Sequence, residues 1–395
     1  MTPNEARSFA QAGIKALQSN NPKTAVSYFE KITSAGFADA SIYLALAYAH
    51  LALDNREQVN RALDELLVRE PYNLRGLILK AENFSALGDD KAALSYYQSV
   101  LKHVPTNEKI TPEIQADVDY ANRMCVQLAK KFEDFTVNNL GGELPLKAEN
   151  AKRFRDSLDL LFGKTQLYFQ NPRLYYFPGL PQIQFYDRKL FPWFDHLEAA
   201  TADIRAELQV ILAEDSAFHP YVEADKNRAI SKPSPMLNNP AWSAFYLWKN
   251  GQEVKENVAR CPKTMAALAA VPLTNMPNRS PSILFSLLRP GAKIPPHTGV
   301  LNTRLICHLP LIIPPKCGLR VGNETREWEV GKGWLFDDTI EHEAWNLSDQ
   351  NRVILIFEVW RPELTLEERA LVSKLMETIN AYHGAENGGD AVWDM

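Results

Sequence analysis

The chain has 395 residues, of which 46% are hydrophobic and 23% charged, and its formal net charge is −5. This length predicts two or three folding units, the lack of a basic field argues against nucleic acid as a partner, and no apolar run reaches the roughly 18–20 residues of a membrane span. The chain start lacks a secretory-signal pattern and the four cysteines form no CxxC pair, so we expect a soluble protein in a reducing cytoplasm.

The first hundred residues repeat with a period of 34 residues. Apolar residues recur four apart in each copy, as Ala25 and Phe29, Val59 and Leu63, and Ala93 and Tyr97. Small residues also lie one period apart, at Gly13, Ala47 and Ala81, and prolines close the second and third copies at Pro71 and Pro105. Residues 5 to about 106 resemble three tetratricopeptide repeats, which are helix pairs. A generic helical bundle is the alternative.

A further helix is predicted over residues 112–133, with Thr111 as its N-cap and Pro112 in its first turn. Gly141 and Gly142 mark a boundary, and residues 148–168 predict another helix. We therefore divide the chain into helical repeats with a capping helix (1–136), a helical connector (137–173) and a C-terminal domain (174–395).

From residue 174 the sequence becomes rich in aromatic residues and proline, with one amphipathic helix predicted over 194–213. Short β-branched or aromatic runs then follow, separated by turn residues: SAFYLWKN, SILFSLLR, RLICHLPLIIP, LRVG, REWEV, GWLFDD, EHEAWNL and VILIFEVW. This pattern predicts an antiparallel β-sandwich of the double-stranded β-helix, or jelly-roll, type with flanking helices. The expected fold class is thus α+β multidomain, an all-α solenoid followed by a jelly-roll.

Two histidines and an arginine have a spacing that points to chemistry. His297 follows two prolines, which we expect to form a rigid turn that brings it to the start of a strand. His342 precedes a strand 45 residues later, and Arg352 begins the next apolar strand. In jelly-roll iron oxygenases an early and a late strand supply two histidine ligands, and a basic residue one strand further binds the distal carboxylate of 2-oxoglutarate. A structural role is the alternative for each histidine taken alone.

The usual third iron ligand, a carboxylate two residues after the first histidine, is missing. Gly299 stands there and has no side chain, so water or an acid from elsewhere would complete the site. Asp338, four residues before His342, is a candidate for holding such a water. Asp337 and Asp338 could also belong to an ordinary solvated turn.

Three segments together, HTGVLNTRLICHLPLIIP, GNETREWEVGKGWLFDDTIEHEAWN and RVILIFEVWRPELT, resemble the aspartyl/asparaginyl β-hydroxylase family over about residues 235–370. The resemblance implies a 2-oxoglutarate oxygenase with two histidine iron ligands and no coordinating carboxylate. It implies that His297 and His342 bind iron and that Arg352 binds the C5 carboxylate of 2-oxoglutarate. Tetratricopeptide repeats also occur in this family.

The same resemblance assigns further contacts. Ser286 matches the serine that supports the C5 carboxylate, and His308 matches a histidine near the other carboxylate end. Ile306 departs from the family, because the animal enzymes carry an arginine there. Arg304 is close by and shares the cavity-facing side of the strand with Ile306 and His308 only if no bulge intervenes. Ser286 and His308 could instead be ordinary core residues.

The aromatic residues are predicted to pack rather than to bind substrate. This interpretation covers the stretch from Tyr175 to Trp193 and four tryptophans of the strand-rich half: Trp242, Trp248, Trp328 and Trp345.

The expected activity is iron(II)- and 2-oxoglutarate-dependent hydroxylation of an unactivated carbon by O2, with the β-carbon of an Asp or Asn residue in a peptide or protein as the first candidate. A polypeptide fits a helical-repeat arm, since concave repeat surfaces bind extended peptides. A small-molecule hydroxylase, a halogenase that uses the missing-carboxylate position for chloride, and a non-catalytic repeat scaffold are the alternatives.

Overall fold

The computed structural model describes residues 1–104, 110–140, 151–214, 217–223 and 235–383. The chain divides into two compact units, Met1–Lys164 and Thr165–Met395. Within the described ranges, no helix combines the length and the apolar character needed to cross a membrane. Pro105, the predicted boundary at Gly141 and Gly142, and residues 148–150 of the predicted connector helix lie outside the described residues.

The first unit is helical. Its elements are α1 (Pro3–Gln18), α2 (Pro22–Ser34), α3 (Ala40–Ala52), α4 (Arg56–Arg69), α5 (Leu74–Ala86), α6 (Asp90–Lys102), α7 (Pro112–Leu140) and α8 (Lys152–Leu161). The first six helices form three successive pairs, α1 with α2, α3 with α4 and α5 with α6. This arrangement fits the tetratricopeptide-like pattern of the sequence.

The repeated residues explain how the pairs pack. The six apolar residues that recur four apart, at Ala25, Phe29, Val59, Leu63, Ala93 and Tyr97, are all completely buried. A Cβ added to Gly13 would lie 2.5 Å from Cε1 of Phe29, so α1 and α2 approach closely only because residue 13 is glycine. The one-period spacing of small residues therefore has the packing role that the sequence predicts.

Two predicted helix lengths are wrong. Thr111 does cap α7, where its Oγ1 accepts from the Ile114 amide at 3.4 Å, but the helix continues to Leu140 because residues 134–140 contain neither Gly nor Pro. The connector helix α8 ends at Leu161 rather than near 168. The chain leaves it at Gly163, whose φ of +69° is a left-handed helix-ending conformation.

The second unit carries helices and strands. The helices are α9 (Phe194–Ala199), α10 (Thr201–Leu212), α11 (Lys255–Ala259), α12 (Pro262–Leu268) and α13 (Leu366–His383). The strands are β1 (His219–Pro220), β2 (Trp242–Lys249), β3 (Gln252–Glu253), β4 (Ile283–Leu288), β5 (Lys293–His297), β6 (Arg304–Ile312), β7 (Cys317–Val321), β8 (Glu324–Arg326), β9 (Trp334–Phe336), β10 (His342–Asn346) and β11 (Arg352–Trp360).

These strands form two antiparallel sheets. The larger sheet has the order β1-β2-β4-β11-β6-β9, with β3 paired to β2, and the smaller has the order β5-β10-β7-β8. Leu288 and Ile354 of the larger sheet pack with Leu319 and Val321 of the smaller one, so the two sheets enclose a common core. Helices α9, α10 and α12 cover the other face of the larger sheet.

Three local predictions in this unit need correction. The helix expected over 194–213 is two helices, which meet at Ala200. The strand expected over REWEV, residues 326–330, lies instead at Glu324–Arg326 and shares only Arg326 with it, and Trp328 packs in the core between the sheets. His297 is the last residue of β5 and not the first of a strand. Pro295 and Pro296 are tolerated within β5 because it lies at an edge of the smaller sheet.

Candidate active site

The two sequence-predicted histidines are brought together. His297 ends β5, His342 begins β10, and the two are direct partners in the antiparallel pair. Their ring centroids are 4.1 Å apart. In each ring Nδ1 faces a backbone carbonyl, of Pro295 at 2.8 Å and of Ile340 at 3.1 Å. A carbonyl only accepts, so Nδ1 carries the hydrogen in both rings and Nε2 is the basic nitrogen.

Both imidazoles are neutral at neutral pH. Burial lowers the pKa of His297 well below its usual range, and the neighbouring His342 lowers it further. Burial likewise lowers the pKa of His342 to about 4, although the carbonyl of Ile340 opposes the shift. Neutral imidazole is the form that binds a metal ion. The pair is thus prepared to act as two nitrogen ligands.

Gly299 and Asp338 explain the missing carboxylate. A Cβ added to Gly299 would lie 2.1 Å from Oδ2 of Asp338, so the space beside residue 299 is filled by an aspartate from another loop. The backbone also joins the two residues, since the Gly299 amide donates to the Asp338 carbonyl at 2.6 Å. Oδ1 of Asp338 is buried and has no hydrogen-bond partner among the described residues. One polar carboxylate atom therefore stands beside the histidine pair.

Arg352 lies in the same cavity, which has a volume of about 110 Å³ and is enclosed by both sheets. Arg352 is 1% exposed, and in the described part of the chain its Nε and Nη1 have no hydrogen-bond partner. Its guanidinium lies over the Trp328 ring at 5.0 Å, and burial lowers its pKa to about 10. Burying a cation without an anion beside it costs roughly several kcal/mol of folding free energy. The surroundings of Arg352 are therefore suited to bind an anion.

Ser286 and Trp242 lie beside this arginine. Ser286 is on β4, the strand paired with β11, and faces the same cavity. The indole Nε1 of Trp242 donates to Ser286 Oγ at 3.1 Å, which leaves the hydroxyl hydrogen to donate to a ligand. Trp242 was predicted to be core. It is buried in the core between the sheets, as predicted, and from there it also lines the cavity.

His308 faces the cavity from β6. Its ring packs edge-on against Phe336 at 4.9 Å, and its Nδ1 is buried with no hydrogen-bond partner in the described ranges. Burial lowers its pKa well below the usual range, and the positive charge of Arg352 adds to the shift. His308 is thus a neutral polar group with one nitrogen that a ligand can reach.

Arg304, Ile306 and His308 do share one side of β6. The register with β11 is continuous from Ile306 to Arg304, so no bulge intervenes. Arg304 is held between two carboxylates, Asp338 at 3.0 Å and Glu358 at 3.2 Å. Its charge is therefore balanced within the protein, and its first effect is to fix Asp338.

Three residues that line the cavity were not predicted from the sequence: Glu358, Tyr221 and Arg173. Glu358 could have been found, because it is three alternations after Arg352 on β11 and must face the same way. Tyr221 stacks on Trp242 with ring centroids 4.1 Å apart. Arg173 comes from a segment before the strands. No sequence pattern marks Tyr221 or Arg173.

The family model and the similar proteins that we compared are all hydroxylases by name. The family model described as aspartyl/asparaginyl beta-hydroxylase matches residues 198–362. An ornithine lipid ester-linked acyl 2-hydroxylase of Rhizobium tropici is 35% identical over 47% of this chain and 62% of its own length. The human aspartyl/asparaginyl beta-hydroxylase is 43% identical over 32% of this chain and 17% of its own length.

A third relative has a similar extent of match. The human aspartate beta-hydroxylase domain-containing protein 2 is 30% identical over 51% of this chain and 53% of that protein. The chain thus spans less than two thirds of the length of each of these relatives. The residues that the family model matches lie in the strand-rich unit that contains the cavity.

Proposed function

Because residues 198–362 belong to the aspartyl/asparaginyl β-hydroxylase family, we propose that this protein is an iron(II)- and 2-oxoglutarate-dependent hydroxylase of an unactivated carbon. The observation that carries the proposal is the buried guanidinium of Arg352 in the same cavity as the paired imidazoles of His297 and His342. Arg352 can bind a carboxylate, and His297 and His342 can bind a metal ion. Together they suit a dicarboxylate that also coordinates the metal. We also propose that the two sheets form a double-stranded β-helix.

The donor set fits iron(II). His297 and His342 are neutral, and each is oriented by a backbone carbonyl on Nδ1, as metal-binding histidines usually are. In the described residues no three His, Cys, Asp or Glu side chains form a metal-binding group. The support for a two-histidine site is the adjacent pair of neutral imidazoles. Asp338, fixed by Arg304, would hold a water molecule beside the pair.

The opposite end fits the C5 carboxylate of 2-oxoglutarate. Arg352 offers a planar fork of donors, and Ser286 offers a hydroxyl that Trp242 has already oriented. His308 would contact the end of the cosubstrate that carries the oxo group. When bound, iron(II) would activate O2, and 2-oxoglutarate would supply the two electrons that the conversion of a C–H bond to an alcohol also requires, leaving as succinate and CO2. The protein supplies orientation, neutral histidine ligands and a buried guanidinium for a carboxylate.

For the substrate we propose an Asp or Asn residue of a polypeptide, hydroxylated at its β-carbon. The helical repeats in the same chain support a polypeptide, because such repeats commonly bind extended segments. By their names, the relatives include both an aspartyl/asparaginyl hydroxylase and an acyl hydroxylase of a lipid. The second candidate is therefore hydroxylation of a lipid acyl chain, supported by the larger share of this chain that the Rhizobium relative matches.

The first experiment is anaerobic titration of the full chain with iron(II) and 2-oxoglutarate, followed by the metal-to-cosubstrate charge-transfer band. The wild type should show the band. His297→Ala should abolish it, and Arg352→Ala should shift its half-saturation to at least about tenfold more 2-oxoglutarate, as expected for loss of a charged hydrogen bond. Arg279→Ala, an arginine hydrogen-bonded to Asn380 outside the cavity, should titrate like the wild type.

Absence of the band and of iron binding in the wild type would refute the hydroxylase and favour the repeat scaffold. Succinate release in air separates an enzyme from a scaffold. A product mass that depends on chloride would identify a halogenase, whereas addition of one oxygen atom to an Asp- or Asn-containing peptide, or to an acyl lipid, decides between the two substrate classes.

A further inference from the structure

The buried guanidinium of Arg352 lies over the face of an aromatic ring. Its Cζ is 5.0 Å from the centroid of the Trp328 ring, and Trp328 is itself only 6% exposed. An aromatic face attracts a cation through the negative charge above the ring, and the attraction is strongest where water is excluded. The Trp328 ring therefore stabilises the charge of Arg352 while no anion is bound.

This contact leaves hydrogen-bond donors of Arg352 available. In the described ranges its Nε and Nη1 have no hydrogen-bond partner. A carboxylate of the protein in the same place would accept from the guanidinium and compete with any ligand carboxylate. An aromatic face attracts the cation as a whole and accepts no conventional hydrogen bond from it. Trp328 can thus stay beside Arg352 both before and after a carboxylate binds.

Trp328 is held in place by residues of both sheets. Its ring lies 5.9 Å from the Trp334 ring at an angle of 31°, and 6.0 Å from the His308 ring at 34°. Trp334 begins β9 and is the direct partner of His308 on β6. The guanidinium of Arg326, on β8 of the smaller sheet, lies over the Trp334 ring at 5.8 Å. Trp328 is therefore packed against fixed neighbours, and its ring gives Arg352 a defined position.

We propose that Trp328 is a positioning residue, whose ring keeps the guanidinium of Arg352 facing the cavity while no carboxylate is bound. Without the ring, the buried cation would turn towards backbone carbonyls or water, and a carboxylate would bind only after that change was reversed. The inference rests on the proposed function, because it concerns the arginine to which we assign the C5 carboxylate. The predicted packing role of Trp328 is retained, since the same ring fills the core.

The first test needs neither metal nor cosubstrate. Urea unfolding of the iron-free full chain is compared for the wild type, Trp328→Leu, Arg352→Met and the double variant, with the remaining tryptophans as the fluorescence probe. Trp328→Leu should lower the unfolding midpoint less in the Arg352→Met background, because the ring then has no charge to stabilise. Equal shifts in the two backgrounds would show that Trp328 only fills space, and the proposal would be wrong.

The second test compares two ligands that differ at one end only. 2-Oxovalerate keeps the C1 carboxylate and the oxo group of 2-oxoglutarate but lacks the C5 carboxylate. Each is titrated anaerobically into the iron(II)-loaded full chain, and the charge-transfer band is followed. Trp328→Leu removes the ring, whereas Trp328→Phe keeps an aromatic face. Trp248→Leu is the matched control, since Trp248 packs against the core on the other face of the larger sheet.

Trp328→Leu should weaken 2-oxoglutarate by about tenfold, as expected for loss of a buried cation–π contact, and should leave 2-oxovalerate unchanged. Trp328→Phe should retain most of the affinity for 2-oxoglutarate. Trp248→Leu should bind both ligands like the wild type. This pattern would separate a role at Arg352 from a general loosening of the core, which affects both ligands.

The proposal fails if Trp328→Leu binds 2-oxoglutarate as tightly as the wild type, if it weakens both ligands alike, or if Trp328→Phe loses as much as Trp328→Leu. If Trp328→Leu does not fold, Trp328→Met replaces it in both tests. A wild type that binds iron(II) but no 2-oxoglutarate refutes the proposed function instead. The urea experiment still decides in that case whether Trp328 stabilises Arg352, so the two failures are distinguishable.

Discussion

Arg361 and Asp337 form a completely buried ion pair, with Nη1 of Arg361 2.9 Å from Oδ2 of Asp337. Arg361 directly follows β11, and Asp337 begins the loop that contains Asp338 and leads into His342, the first residue of β10. Arg361 also donates to the carbonyls of Asn302 and Pro181. The pair therefore ties the loop with the second histidine to the end of the strand that begins with Arg352.

Breaking this pair should destabilise the strand-rich unit strongly. Arg361→Leu leaves Asp337 buried without its cation, which typically costs about 3–5 kcal/mol of unfolding free energy. Urea unfolding followed by tryptophan fluorescence measures this, because all eight tryptophans lie beyond residue 190. Glu377→Ala breaks the exposed pair with Lys374 and should cost less than about 1 kcal/mol. Equal losses in the two variants would contradict the structural role of the buried pair.

Adding one methyl group at residue 299 should disturb the metal site. In Gly299→Ala the new Cβ would overlap Asp338, so the aspartate must move away from the histidine pair. We expect a loss of about 1–3 kcal/mol in unfolding free energy and weaker iron(II) binding, measured by urea unfolding and by anaerobic metal titration.

A compensating change tests the cause of that loss. Gly299→Ala combined with Asp338→Ala removes the overlap, so its unfolding free energy should recover relative to Gly299→Ala. Iron(II) binding should not recover if Asp338 holds a water beside the metal. Recovery of neither quantity would show that the contact between residue 299 and Asp338 does not limit the site.

The helical unit should lose stability below about pH 6.5. His50 on α3 is 6% exposed, and its Nδ1 has no hydrogen-bond partner among the described residues. Burial lowers its pKa, although the charge of Glu30 opposes the shift. The unfolded chain therefore takes up a proton near pH 6.5 that the folded unit resists. This contribution to stability is complete above that pH and is lost as the pH falls, by at most about 1.4 kcal/mol per pH unit.

Helical circular dichroism during urea unfolding, measured between pH 7.5 and 5, checks this prediction. His50→Leu should flatten the pH dependence of the helical transition. His196→Leu, at an exposed histidine in the second unit, should leave it unchanged. If the stability of the helical unit depended on pH equally in the wild type and in His50→Leu, the assignment to His50 would be wrong.

Close packing between α1 and α2 should make alanine unfavourable at residue 13. Alanine normally favours a helix over glycine by about 1 kcal/mol. At this position its Cβ would overlap the Phe29 ring, and we expect a net loss of about 1–3 kcal/mol in the urea unfolding of the helical signal. Gly13→Ala with Phe29→Leu should recover part of the loss. Ser8→Ala, at an exposed position of α1, should be neutral or slightly stabilising.

Much of this structure is visible in the sequence where a pattern is periodic. The 34-residue period predicts the buried positions of the first six helices, and strand alternation predicts that Arg304, Ile306 and His308 face one cavity. The spacing of His297, His342 and Arg352 predicts three residues that the sheets do bring together. Their chemical roles stay predictions.

What the sequence did not reveal depends on contacts between distant segments. The close approach of Asp338 to Gly299 brings together two loops that are 39 positions apart in the sequence, and no local pattern predicts it. Arg173 reaches the cavity through backbone hydrogen bonds that any residue could make. The position of His297 at the end of β5 was missed because two prolines usually indicate a turn, whereas an edge strand accepts them.

The same prolines protect the site from self-association. A strand at the edge of a sheet can recruit a strand from another molecule, and such additions are a common route to aggregation. Two consecutive residues of β5 have no amide hydrogen. Since the amides of consecutive strand residues point to opposite sides, one of these two gaps faces the edge, and an incoming chain would find an interrupted ladder beside His297. The strand that presents the first histidine is therefore a poor template for fibre growth.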